Sequence, residues 1–160
     1  HSSKDGTREG VAIDGTAYRW PGGRVAYTID PRLPNPQRVL DAVAHWNQQL
    51  SGYITIVPRT SEAAYLTFVP SSGCSSYVGF RNVAAQAVNL ADGCSTGNTI
   101  HEIGHALGLY HEHTREDRNN YVRVLTENID PTKTSNFTQQ ITNASDIGTY
   151  DYNSIMHYPA

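Results

Sequence analysis

The sequence predicts an α+β fold: an upper lobe built on a mixed, twisted β-sheet with two long helices, a small irregular lower lobe, and an active-site cleft between them. Three observations predict it. Short runs of β-forming residues alternate with two stretches of helical periodicity up to about residue 107. Beyond His111 the apolar pattern loosens into loop-like and aromatic sequence. At 160 residues and 17.6 kDa the chain is the size of one domain, large enough to bury a real core.

The elements follow in order. Residues 1–16 are polar and glycine-rich and read as an irregular arm. Arg24–Ile29 alternates, with Val25, Tyr27 and Ile29 on one side and Ala26 and Thr28 on the other, and reads as a strand. Pro31, Pro34 and Pro36 make the turn that follows. Gln37–Leu50 places Val39, Leu40, Val43, Trp46 and Leu50 at helical spacing, with Pro36 suited to the first turn. Tyr53–Val57 and Tyr65–Val69 read as two further strands. Gln86–Ala91 is a short strand without a strong two-sided apolar pattern, which suits a sheet edge able to pair with an extended peptide or to be capped by a loop. A helix is expected over Thr96–Leu107, capped by Ser95 or Thr96. Tyr121–Leu125 reads as a short strand and Asn136–Ile141 as a short helix, while Tyr150–Tyr158 is aromatic and irregular.

Composition narrows the function classes. The net charge of −3 is scattered, so nothing marks a nucleic-acid or anionic-membrane surface. No apolar run approaches the ~20 residues of a membrane span. No signal peptide is recognisable after His1, as expected of a mature form. Cys74 and Cys94 are the only cysteines. In a Gly/Ser-rich chain with ten tyrosines and one methionine they fit a secreted protein with one disulfide, or else two buried thiols.

The chemistry concentrates in His101-Glu102-Ile103-Gly104-His105-Ala106-Leu107-Gly108-Leu109-Tyr110-His111. His101 and His105 are four apart, about 40° from each other on a helix face, and can share an ion. Glu102 is offset by about 100° and flanks that ion rather than ligating it. Ile100, Ile103 and Leu107 lie on the other side and would be buried. A continued helix would carry His111 roughly 280° around and away, so the helix must stop. Gly108 can supply the left-handed residue that stops it. Three imidazoles, a carboxylate beside them and a vacant fourth position are what a hydrolytic zinc site requires.

Such a site needs a floor, and Asp151-Tyr152-Asn153-Ser154-Ile155-Met156-His157-Tyr158 supplies the chain's one methionine in a turn. The extended histidine motif followed by a methionine turn resembles the metzincins. His111-Glu112-His113-Thr114-Arg115-Glu116-Asp117-Arg118 and Ser154-Ile155-Met156-His157-Tyr158 resemble the astacin family of zinc endopeptidases. So do Tyr18-Arg19-Trp20-Pro21-Gly22-Gly23, Gly73-Cys74-Ser75-Ser76-Tyr77-Val78-Gly79 and Asn119-Asn120-Tyr121-Val122, and the likeness covers the chain from about Val11.

The resemblance implies a metzincin-like zincin fold and one catalytic zinc held by His101, His105 and His111, with Tyr158 a further ligand that leaves the metal and stabilises the oxyanion. It implies that Glu102 is general base and acid toward a zinc-activated water, that Met156 is structural, and that Cys74 and Cys94 pair. It also implies that Gln86, Ala87, Val88, Asn89 and Leu90 form the substrate-binding edge strand. Residues 11–160 would be the catalytic domain, lacking the C-terminal part of its lower lobe, and residues 1–10 an arm or residual pro-segment. Glu112 would anchor the processed N-terminus near Val11; Asp5 and Asp14 are too weakly placed to be assigned as a pro-segment zinc blocker. Peptide or protein substrates, a secreted monomer and no nucleic-acid partner complete the expectation. His45, His113 and His157 are expected to be structural or solvent-facing. The alternatives are a zinc-containing module of the same fold without turnover, and a zinc hydrolase of non-peptide amides.

Overall fold

The computed structural model describes residues 10–140 and 142–159. Most of the expected N-terminal arm, with Asp5, therefore lies outside the described residues, as do Ile141 and Ala160. In chain order the strands are β1 (Gly10–Ile13), β2 (Arg24–Ile29), β3 (Thr55–Pro58), β4 (Leu66–Pro70), β5 (Ser75–Ser76), β6 (Gln86–Leu90), β7 (Leu109–Tyr110) and β8 (Ala144–Ile147). The helices are α1 (Gln37–Gln49) and α2 (Thr96–Ala106), with several short 3-10 turns before β2 and after α2. Two compact units result: Gly15–Gly108, and the remaining described residues before and after it.

The Gly15–Gly108 unit is a five-stranded sheet in the order β3-β2-β4-β6-β5, with α1 and α2 packed on each other. β2, β3, β4 and β6 run parallel, and β5 is antiparallel to β6. The α+β class is as expected. Parallel neighbours need crossover connections, and α1 supplies the one between β2 and β3. Val25, Ile56, Leu66, Phe68, Val88 and Leu90 from the sheet are buried with Val39, Ala42, Val43 and Trp46 of α1 and Ile103 of α2. Leu40, expected on the apolar face of α1, is 44% exposed, while Arg38 is buried. Its two terminal nitrogens donate to the carbonyls of Ala91, Cys94 and Pro34, which ties α1 to the loop entering α2, while its buried Nε has no hydrogen-bond partner among the described residues. Ile100 and Leu107 are half-buried, and Ile103 carries the buried face of α2.

In the other unit β1 is the middle strand of a three-stranded antiparallel sheet, β7-β1-β8. The arm expected over residues 1–16 thus contains a strand, with Val11 fully buried. Four residues after a polar, glycine-rich run are too few to announce a strand; its backbone partners, Leu109–Tyr110 and Ala144–Ile147, lie about a hundred residues or more away. Tyr121–Leu125 forms no strand: no strand pairs with it among the described residues, and its start closes the 3-10 turn over Arg118–Asn120. In place of a helix from Asn136 there is an earlier 3-10 run, Pro131–Phe137, begun by Asp130, whose carboxylate accepts from the Thr132 N–H.

Candidate metal centre

α2 begins where its sequence provides donors and acceptors for its own end. The Ser95 side chain accepts from the Asn98 N–H and the Asn98 side chain accepts from the Ser95 N–H, a reciprocal capping box. The turns that carry His101 and His105 are held by both tryptophans of the chain. The Trp46 indole donates to the Ile100 carbonyl at 2.9 Å and the Trp20 indole to the Ala106 carbonyl at 2.8 Å, bracketing the two histidines. A buried indole N–H needs an acceptor, and here it also fixes the backbone beneath the ligands. His105 is additionally held by its own carbonyl, which accepts from the N–H groups of Gly79 and Gly108.

The helix stops as the spacing requires. Gly108 adopts φ of +111°, a conformation that L side chains rarely adopt, and the chain leaves it directly into β7 and on to His111. His101 and His105 meet edge to face with ring centroids 4.7 Å apart. His101, His105 and His111 each offer a ring nitrogen, and these atoms all lie within 4.8 Å of one another. Zinc–nitrogen bonds of about 2.0–2.1 Å put tetrahedral ligand nitrogens about 3.4 Å apart, so small ring rotations bring the three into register. The donor set fits zinc: three imidazoles, none displaced by a thiolate, since both cysteines are bonded to each other.

Glu102 follows His101 on α2 and is 7% exposed. Burial pushes its carboxyl up to about 7. A dication at the histidines would favour the ionised form and draw it back down. A buried carboxyl whose pKa lies near neutral can take and return a proton there.

The segment after His111 is locked to the methionine turn. The Glu112 N–H donates to the Met156 carbonyl at 2.9 Å, and Met156 itself is buried. The Tyr158 ring lies 4.5 Å from that of His111 and 4.2 Å from that of His113. His113 is buried, with its Nε2 at 2.9 Å from the Asn136 carbonyl; His45 stands edge-on to Trp46. Glu112 is fully buried. Its Oε1 accepts from the Asp151 N–H, and its Oε2 has no hydrogen-bond partner among the described residues. Burial raises its pKa, partly opposed by that N–H and by Arg115.

Arg115 organises this region, and sequence reasoning passed over it. It is 1% exposed and forks onto Asp117 at 2.8 and 2.9 Å, while also donating to the carbonyls of Ile147, Gly148 and Thr149. Its signal was present as one arginine among Glu112, Glu116 and Asp117, but a charge run reads as a solvated face unless its partners are known.

The edge-strand expectation is corrected. β6 is not at the edge: it is paired along its length with β4, and β5 lies outside it against Val88 and Asn89. Val88 and Leu90 point into the core, and Ala87 and Asn89 are half-buried. The buried Gln86 amide donates to the Gly79 carbonyl and its oxygen accepts from the Arg81 N–H, which is a structural role. A two-residue strand such as Ser75–Ser76 carries too little pattern to be read, so the sequence alone puts β6 at the edge. The Cys74–Cys94 disulfide is present; it joins the start of β5 to the residue before the α2 cap.

Comparisons with known proteins agree with this arrangement. The family model Astacin (Peptidase family M12A) matches residues 12–160. Human Tolloid-like protein 1 is 38% identical over 154 residues, covering 92% of this chain and 15% of its own length. Zinc metalloproteinase nas-8 of Steinernema carpocapsae is 39% identical over 159 residues, covering 97% of this chain and 38% of its own. The structure of high choriolytic enzyme 1, a hatching enzyme zinc-protease from the medaka fish Oryzias latipes, superposes with a TM-score of 0.80 at 32% identity, over 92% of this chain and 77% of that one. The chain spans about 14–15% of the length of the Tolloid-like relatives it matches. With its helix-borne histidines, its methionine turn and this match over nearly its whole length, the chain belongs to the astacin family of zinc metallopeptidases, peptidase family M12A.

Proposed function

We propose that the chain is the catalytic part of a secreted zinc endopeptidase that hydrolyses internal peptide bonds of protein substrates. The observation that carries this is the convergence of the His101, His105 and His111 ring nitrogens beside a buried carboxylate on the same helix. Zinc, when bound, supplies a Lewis acid that polarises a carbonyl and makes water nucleophilic near neutral pH. Glu102, as carboxylate, takes the proton from the attacking water and returns it to the leaving nitrogen. The Tyr158 hydroxyl donates to the carbonyl oxygen as charge develops on it.

The substrate-pairing edge belongs to β5 rather than β6, because β5 is the antiparallel outermost strand of its sheet. The Cys74–Cys94 bond supports an oxidising, extracellular setting. The buried, unpartnered Oε2 of Glu112 supports the reading that an amino group released near Val11 is held there once the preceding residues are cleaved. N-terminal sequencing of the active species tests that part: activity with His1 still attached removes it.

The test of the chemistry is Glu102→Gln. It keeps one zinc per chain, measured by elemental analysis, and loses about a thousandfold or more in kcat/KM on an unfolded protein substrate. Substantial turnover with zinc retained removes Glu102 from the role of base.

A further inference from the structure

We propose that Tyr150 and His157 form a positioning pair that holds Tyr158 in place to meet the developing oxyanion, a proposal that rests on the reading of Tyr158 given above. His157 immediately precedes Tyr158, and its ring is spanned by two hydrogen bonds. Its Nδ1 faces the Tyr158 carbonyl, and its Nε2 faces the Tyr150 hydroxyl at 2.6 Å. A backbone carbonyl can only accept, so Nδ1 carries the hydrogen. In the neutral ring Nε2 is then the acceptor, and the Tyr150 O–H must donate to it.

Tyr150 is well built for that task. It is 6% exposed, and its ring is fixed on several sides: stacked on Tyr121 at 4.9 Å, tilted against Tyr152 at 5.1 Å, and crossed by the Arg115 guanidinium at 5.9 Å. Burial pushes its phenol up to about 12, which keeps the hydroxyl a donor at all working pH values. Its stack of contacts ends at the His157 ring, and that ring holds the backbone of the residue whose phenol is to act. The other fixed point of the turn is the Met156 carbonyl, held by the Glu112 N–H. The Tyr158 backbone is therefore pinned at its own carbonyl and, two residues earlier, at that of Met156, with its ring against those of His111 and His113. A phenol needed at one point in space gains from such fixing, because a small misplacement of a catalytic group costs rate rather than binding.

The test is a double-mutant cycle on the full chain: wild type, Tyr150→Phe, Tyr158→Phe and the double variant, assayed for kcat, KM, zinc content and thermal midpoint. Tyr150→Phe removes one hydroxyl and keeps the packing. The expected result is a loss of about tenfold in kcat with KM and zinc content unchanged, and no further loss when Tyr158 is already phenylalanine. His157→Phe, which deletes both hydrogen bonds and keeps a ring, is expected to behave in the same way and covers the case of a poorly folding first variant. A kcat within twofold of wild type for Tyr150→Phe and His157→Phe, or losses that multiply in the Tyr158→Phe background, overturns the pair. A Tyr158→Phe variant with wild-type kcat overturns the oxyanion role of Tyr158 itself, and the pair with it.

Discussion

At the scale of the residue, the decisive group besides the ligands is Arg115, because it closes the loops around the methionine turn. Its five donors meet Asp117, Glu112 and three consecutive carbonyls, with 1% of its surface exposed. Removing it takes the salt-bridged cation away from the buried Glu112 and one donor from each of three carbonyls. Arg115→Met is therefore expected to cost about 3–5 kcal/mol in chemical denaturation. It should also speed hydrogen exchange selectively between Ile147 and Asp151; a loss under 1 kcal/mol contradicts the hub. The convergence of the histidines was legible from spacing, since a helix of known pitch fixes where His101 and His105 point. Arg115 was not legible, since nothing in a charge run says which side is covered.

At the scale of the element, the end of α2 links local backbone to site assembly. Ser95 and Asn98 start the helix, Trp46 and Trp20 hold its ligand-bearing turns, and Gly108 ends it. A side chain at φ of +111° is strained by about 1–3 kcal/mol, and relieving that strain rotates the chain toward His111. Gly108→Ala is thus expected to lower zinc affinity by tenfold or more in a competition titration, beyond its modest effect on melting. Unchanged affinity would show that the glycine does no more than end a helix. Periodicity read α1, α2, β2, β3, β4 and β6 to within two residues, because their apolar spacing matches the faces they bury. It failed for β1, β5, β7 and β8, where two to four residues carry too little pattern and pairing with distant segments decides. The edge-strand error follows directly from missing β5.

At the scale of the whole molecule, the two units rest on different physics. The Gly15–Gly108 unit buries an apolar sheet-and-helix core, whereas the other depends on buried charge and aromatic rings. That difference predicts a specific acid response. The Arg115 hydrogen bonds hold the Asp117 carboxyl below its ordinary value of 3.8. A depressed folded pKa gives stability that is present above the unfolded value and lost as pH falls through the lower folded one. The gap in urea midpoint between wild type and Asp117→Asn should accordingly be full above about pH 4 and close below it; a gap independent of pH contradicts the assignment. The family and its zinc were legible in the histidine segment and the methionine turn. The buried charge around Arg115 emerged only with the fold.

The central claim is that His101, His105 and His111 bring one zinc to Glu102 for peptide hydrolysis, and titrating zinc back into the metal-free chain tests it most directly. The account predicts that cleavage of an unfolded protein substrate is absent without metal, rises in proportion to added zinc, and reaches its plateau at one equivalent per chain. Cleavage by the metal-free chain, or a chain that takes up its equivalent of zinc and still cleaves nothing, would contradict it.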